Sequence, residues 1–175
     1  LSTEIALSKD TVDKSAYLER VSGLFAEVKN LSLVFISRSK MEDWGFHGEI
    51  ILPGVDSDDY GAYSGEAERV LRVGNGLRER DVMLGYSVQE RLSQGLPSTI
   101  LGLNALIPHA HVPHDWDEYR AYLRSHRVYL NTTVEPYEDG YNLAMLEAMA
   151  TGMPVVSTNN STSPIEDGVS GNVSK

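Results

Sequence analysis

No cysteine occurs among the 175 residues. That absence excludes disulfides, thiolate zinc sites, iron–sulfur clusters and cysteine nucleophiles. Positive charge is also scarce: 15 Lys and Arg stand against 25 Asp and Glu, a formal net charge of −10. Gripping a nucleic-acid backbone needs clustered Lys and Arg, so a nucleic-acid partner is not expected. No apolar run approaches the roughly 18–20 residues that span a bilayer, so no integral membrane segment is expected. No signal-peptide pattern opens the chain, and repeats and low-complexity tracts are absent. A cytoplasmic location is the expectation, with peripheral attachment at a membrane left open, although no basic amphipathic helix is present to dock it.

What is there has the balance of a globular protein, 41% hydrophobic and 23% charged residues. The length fits one domain, or one domain and a piece of another. Apolar residues at three- and four-residue steps predict a helix over Asp10 to Asn30, followed by short strands at Leu31 to Ile36 and Glu49 to Leu52. The stretch from Val55 to Glu66 carries polar turn residues and few apolar ones, and is expected to mark a domain boundary. Residues 1–55 are then one unit and residues 56–175 another.

Beyond that stretch the elements alternate. Strands are expected at Arg69 to Val73, Ser98 to Leu103, Arg127 to Asn131 and Pro154 to Thr158. Helices are expected at Asp81 to Ser93, Trp116 to Ser125 and Asn142 to Ala150. This is the pattern of an α/β, Rossmann-like domain with a parallel sheet.

The most informative segment runs from Glu138 to Thr158, EDGYNLAMLEAMATGMPVVST. It is a Gly-containing loop feeding the start of a helix that follows a strand. Such a junction presents unpaired N–H groups and the positive helix end, which suit phosphate or carboxylate. Asp139 and Glu147 beside it are suited instead to accepting hydrogen bonds from the hydroxyls of a sugar and a ribose.

The same segment resembles the carboxy-terminal signature of the retaining, family-4-like GT-B glycosyltransferases, E-G-F-G-L-x-x-L-E-A-M-A-x-G-x-P-V-V. Here it reads Asp139-Gly140-Tyr141-Asn142-Leu143-Ala144-Met145-Leu146-Glu147-Ala148-Met149-Ala150, then Gly152, Pro154, Val155 and Val156. The resemblance implies that Asp139 contacts the donor sugar, with Glu138 a rival, and that the amides of Gly140, Tyr141, Asn142 and Leu143 hold a diphosphate. It implies that Glu147 binds the ribose hydroxyls.

A weaker resemblance lies upstream, where the family has a strand ending in Gly-Arg and then a Lys. This chain has Gly74-Asn75, then Arg78 and Arg80, with Arg80 at the Lys place and Asn75 at the Arg place. Both arginines are expected to grip the diphosphate. The tail from Ile165 to Gly171 is similar to the family's D-G-x-x-G loop, with Ser163 near the place of its usual Glu.

The resemblance implies a donor-binding domain incomplete at its C-terminus, preceded by the end of an acceptor domain. Leu1 in place of an initiating Met fits a fragment. The implied substrate is a UDP- or GDP-linked sugar, with no cofactor and no metal. The implied activity is hexosyl transfer to an unidentified acceptor, with Asp139, Glu147 and Arg80 as the catalytic set and the acceptor half supplied by a missing domain or a partner chain. Two other readings stay open: a non-catalytic nucleotide-sugar-binding module or subunit of a split enzyme, and a nucleotide-sugar epimerase of the same fold. Asp56-Ser57-Asp58 mimics a D-x-D metal motif but falls in the turn-rich stretch. His109, His111 and His114 are expected in a loop near the donor. Trp116, Tyr119, Tyr122 and Leu123 have the spacing of a core stripe.

Overall fold

The computed structural model of the chain describes residues 13–137 and 142–174. Glu138, Asp139, Gly140 and Tyr141, four of the residues expected at the donor site, lie outside them. The chain divides into two compact units, Leu1–Pro53 and Gly54–Lys175.

In the first unit, α1 (Lys14–Glu27) begins where the Asp13 carboxylate accepts from the amides of Ser15 and Ala16, the cap that satisfies orphan donors. β1 (Val34–Phe35) pairs in parallel with β2 (Glu49–Ile50). Between them lies α2 (Arg38–Trp44), which the sequence reading did not anticipate. It is short, but both its ends are determined: Ser37 Oγ accepts from the Lys40 amide, and Gly45 closes it with φ of 68°.

The second unit carries a five-stranded, all-parallel sheet, the α/β class expected. Its strands are β3 (Ala67–Val73), β4 (Ser98–Leu101), β5 (His126–Asn131), β6 (Val155–Thr158) and β7 (Asn172–Ser174), in the spatial order β4-β3-β5-β6-β7. From β3 the chain steps one way to β4, then crosses back to β5 and continues to β6. Right-handed crossovers therefore put the β3–β4 connection on one face and the later helices on the other.

The packing agrees. On one face, α5 (Trp116–Ser125) and α6 (Leu143–Thr151) bury Tyr119, Leu123, Met145 and Ala148 against Leu71, Leu101, Tyr129 and Val155. On the other, Leu77, Ile100 and Ile107 form a smaller cluster joined by Leu84 and Tyr86. Alternate residues of β3 and β4 supply the two faces, as strand geometry requires. No helix among the described residues is long and apolar enough to cross a membrane.

Three departures from the expected elements have physical causes. The helix expected over Asp81 to Ser93 is two, α3 (Asp81–Leu84) and α4 (Tyr86–Leu92), because Gly85 turns left-handed between them with φ of 63°. A Cβ there would stand 2.4 Å from the Thr132 carbonyl oxygen, so the backbone passes β5's end closer than a side chain allows. β7 was not anticipated, being three residues long and mostly polar. The D-G-x-x-G segment before it forms a tight turn, with the Gly168 amide donating to the Gly171 carbonyl and Asp167 Oδ1 accepting from the Val173 amide.

The third departure is the turn-rich stretch after Val55, which is fastened along α5. A single 3₁₀ turn (Ser57–Asp59) is capped by Asp56, whose Oδ1 accepts from the Asp58 amide. Arg120 then donates to the Asp59 carbonyl and Arg124 to that of Gly61, each at 3.0 Å. The amides of Ser64 and Gly65 donate to the Arg124 carbonyl. Tyr60 and Tyr63 pack against the core. Hydrogen bonds and two aromatic rings hold this strap, which the sequence reading took for a turn-rich domain boundary.

Candidate functional site

In an open parallel sheet, ligands gather beyond the carboxyl ends of the strands, where the strand order reverses. That point here is the neighbourhood of β3, flanked by β4 on one side and β5 on the other. The chain makes a cleft of about 420 Å³ there, lined by the ends of β3 and β4, the start of α5 and Glu147 of α6.

The edge of the cleft is built by a close approach of two loops. Gly102, with φ of +119°, lies so near Gly74 that a Cβ on it would stand 2.4 Å from the Gly74 carbonyl oxygen. Gly74 itself has Leu77 where its own Cβ would go, at 2.6 Å. The loops are laced by polar side chains. Asn104 donates to the Gly74 carbonyl and accepts from the Leu77 amide, and Asn75 Oδ1 accepts from the Leu103 amide, each at 2.8 Å. Asn75, at the place of the family's Arg, is thus engaged as a strut at the cleft wall.

Glu147 forms the other side. It projects from α6 beneath the first turn of α5 and accepts from the Tyr119 hydroxyl through Oε2 at 2.5 Å. The Tyr60 phenol stands near the same carboxylate. Burial first, then Glu147, pushes the Tyr60 phenol up to about 12 and raises that of Tyr119 further still. Both phenols therefore stay protonated, and that of Tyr119 donates. The rings also support one another: Trp116 stands edge-on to Tyr60, centroids 6.1 Å apart, and beside Tyr119 at 5.2 Å. Trp116 was expected in the core, yet it is 48% exposed. As the first residue of α5 it overhangs the cleft rather than the sheet.

Two helix starts face this region, and they differ. That of α5 is closed: Asp115 Oδ1 accepts from the Glu118 amide, and Glu118 reaches back to the amide of His114. The backbone amide of Glu118, then His114, holds the Asp115 carboxyl below its usual range. A negative ligand meets three carboxylates there, Asp115, Asp117 and Glu118. The start of α6 has no side-chain cap and no acid in its first turn. Asn142 turns away from its own helix and donates to Asn131 Oδ1 at 3.4 Å. The field of this helix start favours an anion at α6.

Of the expected residues, the cleft brings together Asn75 and Glu147, with Gly74 shaping its edge. Asn142 and Leu143 open α6, and Leu143 is exposed. Arg78 and Arg80 stand on the loop and first turn after β3, outside the cleft lining. Among the described residues Arg78 reaches the Leu106 carbonyl and Arg80 the Asn75 carbonyl, each at 3.4 Å, and Arg80 also Met83 sulfur. Among the described residues neither makes an ion pair. His111 and His114 pair with Glu118 and Asp115 near the mouth. Among the described residues no cluster of His, Asp and Glu is arranged for a metal ion.

The tyrosines at Glu147 and the overhanging Trp116 were not foreseen as site residues. One signal was readable: Tyr60 and Tyr63 are aromatic rings in an otherwise polar stretch, an expense of apolar surface that a free linker does not require.

Two solved structures share this fold. One, described as Crystal Structure of TarM, superposes with a TM-score of 0.65 at 14% identity, over 95% of this chain and 38% of its own. The other, Alr3699/HepE from Anabaena in complex with UDP and glucose, gives 0.68 at 14% identity, over 95% and 55%. The chain thus spans about two-fifths to just over half the length of these neighbours. No curated protein matches. The model of the family described as Glycosyl transferases group 1 matches residues 68–175, which is most of the chain and the whole of the five-stranded sheet except the first residue of β3, and the chain belongs to that family.

Proposed function

We propose that the unit from Gly54 onward is the donor half of a retaining, family-4-like GT-B glycosyltransferase that takes a sugar from a nucleoside-diphosphate sugar. The observation that carries this reading is the cleft at the sheet's reversal point, with the Glu147 carboxylate on one side and an uncapped helix start beside it. A carboxylate held by the Tyr119 hydroxyl keeps lone pairs for the hydroxyls of a ribose. The α6 amides and the cations of Arg78 and Arg80 suit a diphosphate. The solved HepE complex holds UDP and glucose, a ligand pair of this kind.

In such a transfer the bond from the sugar's anomeric carbon to the diphosphate breaks, and negative charge grows on the departing phosphate oxygen. Arg78, Arg80 and the amides of Asn142 and Leu143 neutralise that charge where it develops. Asp139 orients the sugar and Glu147 the ribose, while the hydroxyl of an acceptor bound by the other half of the enzyme forms the new bond to the anomeric carbon and its proton leaves with the diphosphate. Neither a cofactor nor a bound metal enters this scheme.

The test is calorimetric titration with UDP, GDP, ADP and CDP, with and without magnesium, repeated on Glu147→Ala. Metal-independent binding of one of them, weakened by the substitution, supports the donor reading and names the base. Binding that Glu147→Ala leaves intact removes Glu147 from the site.

A further inference from the structure

Glu147 is the one carboxylate of α6, and it does not stand alone. One phenol reaches it from α5, Tyr119, at 2.5 Å. The second, Tyr60, comes from the strap, nearly ninety positions away in sequence. The strap is anchored for that purpose on three successive points of α5 and the strand after it: Asp59 through Arg120, Gly61 through Arg124, and Tyr63 through the Arg127 carbonyl at 2.8 Å. Gly61 and Ala62 carry φ of 110° and 58° immediately after Tyr60. Ala62 holds a conformation that a residue with a Cβ rarely adopts. The backbone is bent at a cost immediately after Tyr60, whose ring packs against the core cluster that α6 joins.

Resting on the donor reading, we propose that Tyr60 and Tyr119 are positioning residues for the ribose: together they fix the rotamer of Glu147 so that its free lone pairs face the ribose hydroxyls. A glutamate side chain has three rotatable bonds, and its lone pairs are useful to a ligand only where its rotamer is fixed. The Tyr119 phenol donates one hydrogen bond and accepts none from the carboxylate, so one of roughly four lone-pair positions is used and the rest are left to the cleft and to Tyr60 beside it. The strap thereby becomes part of the donor site, because a change at Tyr60 reaches the ligand only through Glu147.

The phenols act through the carboxylate on the ribose and have no effect on the phosphates. The wild-type chain, Tyr60→Phe, Tyr119→Phe and, as a control, Tyr63→Phe are titrated with UDP, GDP, ADP and CDP, with the 2′-deoxy form of each, and with inorganic pyrophosphate. Tyr63→Phe removes a hydroxyl from the same strap that touches only the Arg127 carbonyl. The expected result is a wild-type preference for the ribonucleotide that falls about fivefold in Tyr60→Phe and in Tyr119→Phe, the scale of one charge-assisted hydrogen bond. Affinity for the deoxynucleotide and for pyrophosphate stays at the wild-type value, and Tyr63→Phe keeps the full preference. A wild-type preference that survives both substitutions overturns the positioning role and leaves the donor reading standing. A wild-type chain that binds pyrophosphate but does not distinguish the ribose overturns the role of Glu147 and the proposal with it. A chain that binds none of these ligands overturns the donor reading itself.

Discussion

The hydroxyl of Tyr119 donates to Glu147 Oε2 at 2.5 Å, joining the core of the α5–α6 face to the wall of the cleft. Tyr119 is a core residue, 9% exposed, and its only polar atom is committed to this carboxylate. Site and core therefore share a hydrogen bond, which gives Glu147 a stability role beside its binding role.

Glu147→Ala leaves the Tyr119 hydroxyl without its acceptor in a buried place. An unsatisfied buried hydroxyl costs about 1–3 kcal/mol, so urea denaturation is expected to show a loss of that size. Adding Tyr119→Phe removes the orphan and recovers part of the loss. A double variant no more stable than the single one contradicts a buried, committed hydroxyl.

Arg78→Ala and Arg80→Ala are expected to weaken nucleoside-diphosphate binding about tenfold each, with a shallower dependence on salt. Melting temperatures stay within ~2 °C of wild type, since neither side chain makes an ion pair among the described residues. Unchanged affinity in both variants places the diphosphate elsewhere.

Much of the sheet was legible because its signals are local. The apolar runs around Leu71, Ile100, Leu130 and Val156 are strands as read. α6 ends at Gly152, with φ of 85°, where the glycine and Pro154 predicted a stop. The helix that Gly85 divides was not legible as two, because Leu84, Val88 and Leu92 keep helical spacing across the break. The reason for the break is Thr132, 47 positions away. Tyr60 was missed for the same kind of reason: what holds the strap is side-chain donation from Arg120 and Arg124 to its carbonyls, and no period in the strap records those partners. Trp116 fits the helical stripe, but at a helix's first turn that face looks past the sheet edge.

Gly102→Ala tests the close approach at the cleft edge. The new Cβ meets the Gly74 carbonyl oxygen at a φ of +119°, a conformation costing a side chain on the order of 1–3 kcal/mol. A fall in stability of at least that size is expected by urea denaturation, together with weaker ligand binding. Gly54→Ala, with nothing within 4 Å and no positive φ, is the neutral comparison. Equal stability of the two variants contradicts the packing described.

His126 makes stability depend on pH. It is buried, its Nδ1 is 3.0 Å from the Tyr122 carbonyl and its Nε2 2.8 Å from Thr99 Oγ1. A carbonyl only accepts, so Nδ1 carries the proton and Nε2 accepts from Thr99. A second proton on Nε2 would face Thr99 Oγ1, which already accepts from Arg69 Nε, and burial first, then the nearby Arg69 cation, lowers the imidazole below its ordinary value. The folded state therefore binds fewer protons than the unfolded one below the unfolded value of about 6.5. The contribution is complete above that pH and is lost as pH falls toward the lowered folded value. Denaturation midpoints between pH 8 and 5 should decline in wild type and decline less in His126→Gln. Parallel declines contradict this assignment.

The most direct measurement is a crystal structure of the chain with whichever nucleoside diphosphate it binds in the titration. The ribose hydroxyls are expected within hydrogen-bond distance of Glu147, with the phosphates at the start of α6 and the Tyr119 hydroxyl still on the carboxylate. A nucleotide seated away from Glu147, or phosphates lying at the acidic start of α5, contradicts the donor site at this cleft.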